Sequence, residues 1–160
     1  TSWNLLAYQI LHMNPTNITL EKFGYPATLI KQYTRWALLL RTQQVTIGSL
    51  ILVCLDKANA FSEISSDSFI ELAVVIREVE TNLSQLFSYE KINYLMLMMV
   101  DPDVHFHIIP RYSNAREFHS QQFLDHSWPG PPNLKLGNEI TQSTQHELQG
   151  FLKNSWKSLD

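Results

Sequence analysis

The sequence predicts an α+β fold in which an antiparallel sheet packs against helices. Three features indicate this fold: apolar segments of strand length, turn-forming sequences between them, and one apolar stripe at helical spacing. Because consecutive strands are joined by turns and do not alternate strictly with helices, a two-layer sandwich is favoured. With 160 residues and 44% hydrophobic content, the chain has the size of one domain with one core.

The first half of the chain is predicted to form one helix and three strands. Residues 3–10 carry apolar side chains at helical spacing, and the turn sequence NPTN follows. Residues 27–41 (ATLIKQYTRWALLLR) are rich in aromatic and β-branched types, so we expect a hairpin that turns near Thr34. Residues 49–55 (SLILVCL) predict a third strand, which places Cys54, the single cysteine, in the core.

The second half is predicted to contain the longest helix and a second hairpin. Residues 67–87 carry the long apolar stripe, behind a cluster of residue types that cap helices. Residues 91–100 and 104–112 are predicted strands, joined by the tight turn-forming sequence DPD. Residues 113–138 contain WPGPP and are expected to form a long surface loop, before a weaker helical stripe over residues 140–156.

Charge and hydropathy argue against several classes of function. A net charge of −3 gives no large positive field, which disfavours binding to nucleic acid or to anionic membranes. No apolar run approaches the roughly 20 residues that a membrane-spanning helix requires. The N-terminal sequence lacks the basic flank and the apolar centre of a secretion signal, so we expect a cytoplasmic protein.

The sequence VHFHIIPRY, at residues 104–112, carries the candidate chemistry of the chain. Because side chains alternate along a strand, His105, His107 and Arg111 are expected on one face. Two imidazoles on one face can converge on an anionic group, one as nucleophile or base and the other as hydrogen-bond donor. The spacing alone leaves three interpretations open: ordinary strand residues, ligands of a metal site, or a catalytic pair.

This strand resembles the active-site strand of the histidine triad hydrolases and transferases, in which three histidines alternate with apolar residues, often before a Pro-Arg pair. Aligned on that pair, His107 takes the third histidine position and His105 the central one. Asp103 then stands where the first histidine would be. Residues 36–65 and 91–107 resemble the same family, and the latter is similar to a short-loop bacterial branch that often lacks the first histidine. Within the family, the resemblance is to the fragile histidine triad and diadenosine polyphosphate hydrolase group.

The resemblance implies both a fold and an activity. It implies one domain over residues 1–160, with an antiparallel sheet of about five strands packed against one long helix and a C-terminal helix. The core would span residues 27–112, and residues 113–160 would form the C-terminal loop and helix. In the family, the central histidine attacks the α-phosphorus of a nucleotide phosphoanhydride or phosphoramidate, for example in a dinucleoside polyphosphate, and forms a nucleotidyl-histidine.

The resemblance also implies roles for individual residues. His105 would be the nucleophile, and His107 would donate a hydrogen bond to the phosphate. The further substrate-binding candidates are Asn93 near the nucleotide, Arg41 at the ribose position, Asp103 as an orienting group and Arg111 for the phosphate. No metal site or cofactor is required, although free Mg²⁺ can accompany a polyphosphate substrate. Members commonly pair two sheets edge to edge, which implies a homodimer.

Two departures from the family pattern keep other functions open. Members of the short-loop branch usually carry a Gly-Asn pair where Met98 and Met99 stand, and longer-loop members supply Ser and Gln before the triad. Fewer polar groups are therefore available for a phosphate. The alternatives are a nucleotide-binding protein that has lost turnover, and a metal-binding protein that uses His105 and His107.

Overall fold

Five strands of the computed structural model, which describes residues 17–159, form one antiparallel sheet. They are β1 (Leu29–Gln32), β2 (Trp36–Leu40), β3 (Leu50–Cys54), β4 (Lys91–Leu95) and β5 (His105–Arg111). Their order in the sheet is β1-β2-β3-β5-β4. Both predicted hairpins and the predicted third strand are therefore present. The helix predicted over residues 3–10 lies outside the described residues.

Helices complete the described structure. They are α1 (Ile18–Lys22), a 3-10 turn (Phe61–Glu63), α2 (Ser66–Phe87) and α3 (Gln142–Ser155). Ser65 and Thr141 cap α2 and α3, because each hydroxyl accepts a hydrogen bond from the backbone N–H three residues later. α2 is the long helix that the apolar stripe predicts, and it ends where Ser88 takes a left-handed conformation. No helix within residues 17–159 combines the length and apolarity needed to cross a membrane.

The sheet is covered on both faces, which explains why β2 and β3 are continuous apolar runs and do not alternate with polar residues. On one face, Trp36 and Leu52 belong to the larger core with α2 and α3. Cys54 is fully buried in this core, as predicted. On the other face, Leu39 packs with Phe23, which follows α1. This second face also carries the histidines of β5.

A buried polar turn joins β2 to β3. Gln44 Oε1 accepts a hydrogen bond from the Gly48 N–H at 2.9 Å, and Thr46 Oγ1 donates to the Pro110 carbonyl at 2.5 Å. Gly48 adopts φ +86°, and a Cβ at this position would lie 3.1 Å from the Phe87 ring. The turn and the packing of α2 therefore both require glycine here.

The connection between β4 and β5 is longer than the sequence predicts. β4 ends at Leu95, and residues 96–104 form a long irregular connection where a tight turn was expected. Met98 adopts φ +52°, which takes the chain out of the strand conformation, and Pro102 offers no N–H for a strand ladder. Met99 is left 86% exposed. The expectation of a strand up to residue 100 is therefore wrong.

The predicted surface loop over residues 113–138 contains a second, small sheet. It is a hairpin of β6 (Arg116–Phe118) and β7 (Gln121–Phe123). Its two turn residues have positive φ, but neither is the asparagine or glycine that usually signals such a turn. Phe123 is only 2% exposed and packs into the larger core, which anchors the hairpin.

Candidate active site on the histidine strand

The two histidines of β5 lie on the sheet face opposite α2. In the pairing of β3 with β5, His105 lies opposite Val53 and His107 opposite Ile51, and both partners belong to the apolar layer of that face. The imidazole centroids are 5.2 Å apart, with an angle of 73° between the ring planes. The rings are therefore neighbours, as strand alternation predicts.

A contact with the backbone fixes the tautomer of His105. Its Nδ1 lies 2.6 Å from the carbonyl oxygen of Asp103. A carbonyl oxygen only accepts hydrogen bonds, so in the neutral ring Nδ1 carries the proton and Nε2 carries the lone pair. Nε2 is therefore the nucleophilic atom of this ring.

Arg41 fixes the opposite tautomer in His107. Arg41 directly follows β2, and its Nε donates to His107 Nδ1 at a long 3.4 Å. A guanidinium only donates hydrogen bonds, so Nδ1 accepts and the proton of the neutral ring sits on Nε2. Burial, and next the charge of Arg41, lowers the pKa of His107 to about 4. The ring is therefore neutral near pH 7.

The histidine pair is almost fully enclosed, and the hydrogen bonds of the two rings within residues 17–159 use only their Nδ1 atoms. His105 and His107 are 1% and 6% exposed, and the Phe23 ring lies 6.2 and 5.9 Å from their centroids. Within residues 17–159, neither Nε2 has a hydrogen-bond partner, yet no fully buried side-chain nitrogen or oxygen lacks one. Each Nε2 atom therefore keeps at least a trace of exposed surface and has no protein partner among the described residues.

Asp103, which the resemblance aligns with the first histidine of the family, connects the site to α1. Its Oδ2 accepts hydrogen bonds from the backbone N–H and the hydroxyl of Thr19, at 3.1 and 3.0 Å. The residue is 4% exposed. In this structure Asp103 thus orients His105 through its backbone carbonyl, while its carboxylate binds α1.

Arg111 and Asn93 belong to a separate buried network near the other end of β5. Arg111 Nε and Nη2 donate to the two carboxylate oxygens of Asp125 at 2.7 and 3.1 Å. Arg111 also donates to Asn93 Oδ1 at 2.9 Å and to the Gly130 carbonyl at 2.8 Å. A contact between Arg111 and a substrate phosphate, as the sequence suggests, would have to displace the Asp125 carboxylate. The network instead holds residues 125–130 against the sheet.

The structure brings together four of the six predicted site residues, namely Arg41, Asp103, His105 and His107. Asn93 and Arg111 do not join this cluster. Phe23 and Thr19 do join it, although nothing in the sequence marks them. Both come from a part of the chain distant from β5, and only the packing of α1 on the sheet places them there.

A metal centre at the pair would need ligands beyond the two histidines. In the described part of the chain, no group of three or more histidine, cysteine, aspartate or glutamate side chains is placed to hold a metal ion. Binding a metal through both Nε2 atoms would also require the His107 proton to move from Nε2 to Nδ1. Nδ1 already accepts a hydrogen bond from Arg41.

Comparisons with known proteins identify the fold. No protein-family model and no curated protein sequence matches the chain. A histidine triad protein from Marinobacter aquaeolei is 20% identical, with a TM-score of 0.70 over 90% of this chain and 96% of that one. A histidine triad protein from Sinorhizobium meliloti is 19% identical, with a TM-score of 0.66 over 86% and 93%. A diadenosine triphosphate hydrolase from Plasmodium falciparum, in complex with cyclomarin A, is 12% identical, with a TM-score of 0.59 over 86% and 93%.

These likenesses confirm the predicted fold. The chain has the fold of the histidine triad proteins, with a five-stranded antiparallel sheet and flanking helices. At 20% identity or less they show the fold alone. The assignment to a short-loop bacterial branch, and to the diadenosine polyphosphate group, stays a prediction.

Proposed function

We propose that this protein is a nucleotide hydrolase or nucleotidyltransferase that cleaves a phosphoanhydride or phosphoramidate, such as a dinucleoside polyphosphate. One observation carries the proposal: the 2.6 Å contact between His105 Nδ1 and the Asp103 carbonyl leaves the Nε2 lone pair without a partner among residues 17–159. The likeness in fold to a diadenosine triphosphate hydrolase supports this substrate class.

His105 acts as the nucleophile. Its Nε2 forms a bond to the α-phosphorus while the bond between phosphorus and the leaving group breaks, and the leaving group takes up a proton. The resulting nucleotidyl-imidazole carries a positive charge, and the hydrogen bond from Nδ1 to the Asp103 carbonyl stabilises it. Water or another acceptor then attacks the phosphorus, which releases the nucleotide and restores neutral His105.

His107 donates a hydrogen bond to the phosphate. Its ring lies 5.2 Å from the His105 ring, so the two Nε2 atoms can serve one phosphoryl group. Because the pKa of His107 is lowered to about 4, the ring keeps its neutral Nε2–H form near pH 7. A donor at a non-bridging oxygen stabilises the charge that develops there. These steps use no metal or cofactor, and Mg²⁺ would arrive only with a polyphosphate substrate.

Trapping the covalent intermediate tests the proposal. The native chain is incubated with diadenosine polyphosphate labelled in the adenylate, and the modified peptide is mapped by mass. We expect adenylate on His105, and loss of both label and turnover in His105→Ala. His146→Ala is the matched control, because His146 is an exposed histidine on α3. Turnover that survives in His105→Ala would remove this residue from the mechanism.

One observation favours a second candidate, a nucleotide-binding protein without turnover. Met98 has φ +52°, a conformation that favours glycine, at the place where the resemblance puts the glycine of a Gly-Asn pair. Met98 thus adopts a glycine-like backbone conformation while the polar pair itself is absent. Nucleotide binding to the native chain without labelling of His105 would establish this candidate in place of the enzyme.

We also propose that two copies pair through β4. β4 is an edge strand of the sheet. At the opposite edge, Gln149 of α3 donates to the Leu29 carbonyl of β1 at 2.7 Å. Leu97 and Met99, just after β4, are 48% and 86% exposed. Edge pairing would cover such a strand. Light scattering should give the mass of a dimer, and Met99→Glu should shift it towards the monomer, whereas a native monomer would contradict the pairing.

The cellular setting is proposed from composition. A net charge of −3 offers no attraction to nucleic acid or to anionic lipid, so the expected partner is the nucleotide substrate. We place the protein in the cytoplasm. Fractionation of cells that express the natural protein would test this location, and recovery in a membrane fraction would contradict it.

A further inference from the structure

Arg41 is a buried cation with no carboxylate partner among residues 17–159. The residue is 8% exposed, and burial lowers the pKa of its guanidinium. Its hydrogen bonds go to neutral groups: Nε donates to His107 Nδ1, and Nη1 donates to the Gln43 carbonyl at 2.8 Å. Burial of an unpaired charge is unfavourable in a folded protein. Such a group at a candidate site indicates an anionic ligand.

The carboxylates that border the site are engaged elsewhere. Asp101 forms an ion pair with Lys22 at 2.6 Å. Asp103 accepts two hydrogen bonds from Thr19. Neither contacts Arg41, so no direct ion pair neutralises the charge of the guanidinium.

One nitrogen of Arg41 is left for a ligand. Nη2 donates no hydrogen bond within residues 17–159, and every fully buried side-chain nitrogen there has a partner. Nη2 is therefore available as a donor, as the Nε2 atoms of the two histidines are available to a ligand. Arg41 Nε contacts His107 Nδ1, so the guanidinium and the imidazole that carry these free donors are direct neighbours. A guanidinium beside an imidazole N–H suits the oxygens of a phosphate.

We infer that Arg41 completes a phosphate-binding site with His105 and His107, and that its guanidinium neutralises the phosphoryl group that His105 attacks. This inference rests on the proposed function and deepens it. It assigns Arg41 to the phosphate, in contrast to the ribose position that the resemblance implies. It also gives this chain a source of positive charge where the Gly-Asn pair and the Ser and Gln of relatives are absent.

Calorimetric titration of the full chain with AMP, adenosine and inorganic phosphate tests the inference. We expect Arg41→Met to weaken AMP and phosphate binding by about 10- to 100-fold, as for loss of a charged hydrogen-bond donor, and to leave adenosine binding unchanged. Arg41→Lys keeps the charge but not the planar fork, and should bind AMP with intermediate affinity. Arg35→Met is the matched control, because Arg35 is 39% exposed and pairs with two aspartates.

Several outcomes would overturn the inference. They are unchanged AMP affinity in Arg41→Met, an equal loss for adenosine and AMP, and a native chain that binds neither AMP nor phosphate. If Arg41→Met fails to fold, a native-like AMP affinity in Arg41→Lys, which lacks the planar fork, decides against the inference in the same way.

Failure here is distinguishable from failure of the proposed function. Adenylate on His105 together with unchanged AMP affinity in Arg41→Met would refute the phosphate site alone. Loss of phosphate binding in Arg41→Met, in a chain that never labels His105, would refute the enzyme and leave the phosphate site standing.

Discussion

Loss of Arg111 should destabilise the folded protein strongly, because it would leave Asp125 as a buried carboxylate without its cation. The two side chains are 5% and 2% exposed, and the guanidinium binds both carboxylate oxygens. Arg111→Met keeps much of the apolar stem and removes the charge. Removing one partner of a buried ion pair costs about 3–5 kcal/mol of the free energy of unfolding.

The remaining contacts of Asp125 place the expected loss at the lower end of that range. The backbone N–H groups of Tyr112 and Ser127 still donate to the carboxylate, each at 3.2 Å. We therefore expect a loss of about 3 kcal/mol, which lowers the Tm by roughly 6–12 °C for a domain of this size. Burial raises the pKa of Asp125, but hydrogen bonds from Arg111 and the backbone hold it below its usual value. In the variant this pKa should rise.

Thermal and urea unfolding followed by circular dichroism measure the effect. Arg35→Met is the control, with an expected loss below about 1 kcal/mol because its ion pairs are partly exposed. The double variant Arg111→Met/Asp125→Asn should recover part of the stability. If Arg111→Met melts within about 2 °C of the native protein and instead loses nucleotide binding, Arg111 acts on the substrate and the structural interpretation is wrong.

Three further predictions follow from buried groups. As the pH falls from 6.5 to 4, the free energy of unfolding of the native protein, measured with urea, should fall by up to about 3 kcal/mol more than that of the His107→Gln variant. The reason is that the unfolded histidine binds a proton that the folded ring, with its pKa lowered to about 4, does not, so this stability is present above pH 6.5 and lost on acidification. Gly48→Ala should cost about 1–2 kcal/mol in the same assay, because φ is +86° and the new Cβ would meet Phe87. Cys54 should resist thiol reagents in the folded protein, since burial raises its pKa to about 11, and rapid labelling would contradict this.

The sheet, and the face of it that carries the two histidines, were predictable from local sequence patterns. β2 and β3 are apolar throughout because both faces of the sheet are covered, and a continuous apolar run of strand length indicates such a position. Alternation along β5 sufficed to place His105 and His107 side by side. α2 was predictable because its stripe extends over many helical turns.

The partners of the site residues were not predictable, because each comes from a distant part of the chain. Nothing local in the sequence indicates that Asp103 binds Thr19 or that Arg111 binds Asp125. The early end of β4 at Leu95 and the positive φ of Met98, a residue type that rarely adopts it, have no local signal in the sequence. Such contacts are set by how the elements pack and not by their own composition.

The anchoring of α1 by Asp103 limits how a third histidine could be introduced beside the pair. Asp103→His would supply the absent imidazole but would remove the carboxylate that holds the Thr19 N–H and hydroxyl. The segment that carries Phe23 over the pair would then be released from the start of β5. Substitution at this one position would therefore add an imidazole but remove the contact with α1, and a compensating change in α1 would be needed to keep Phe23 over the pair.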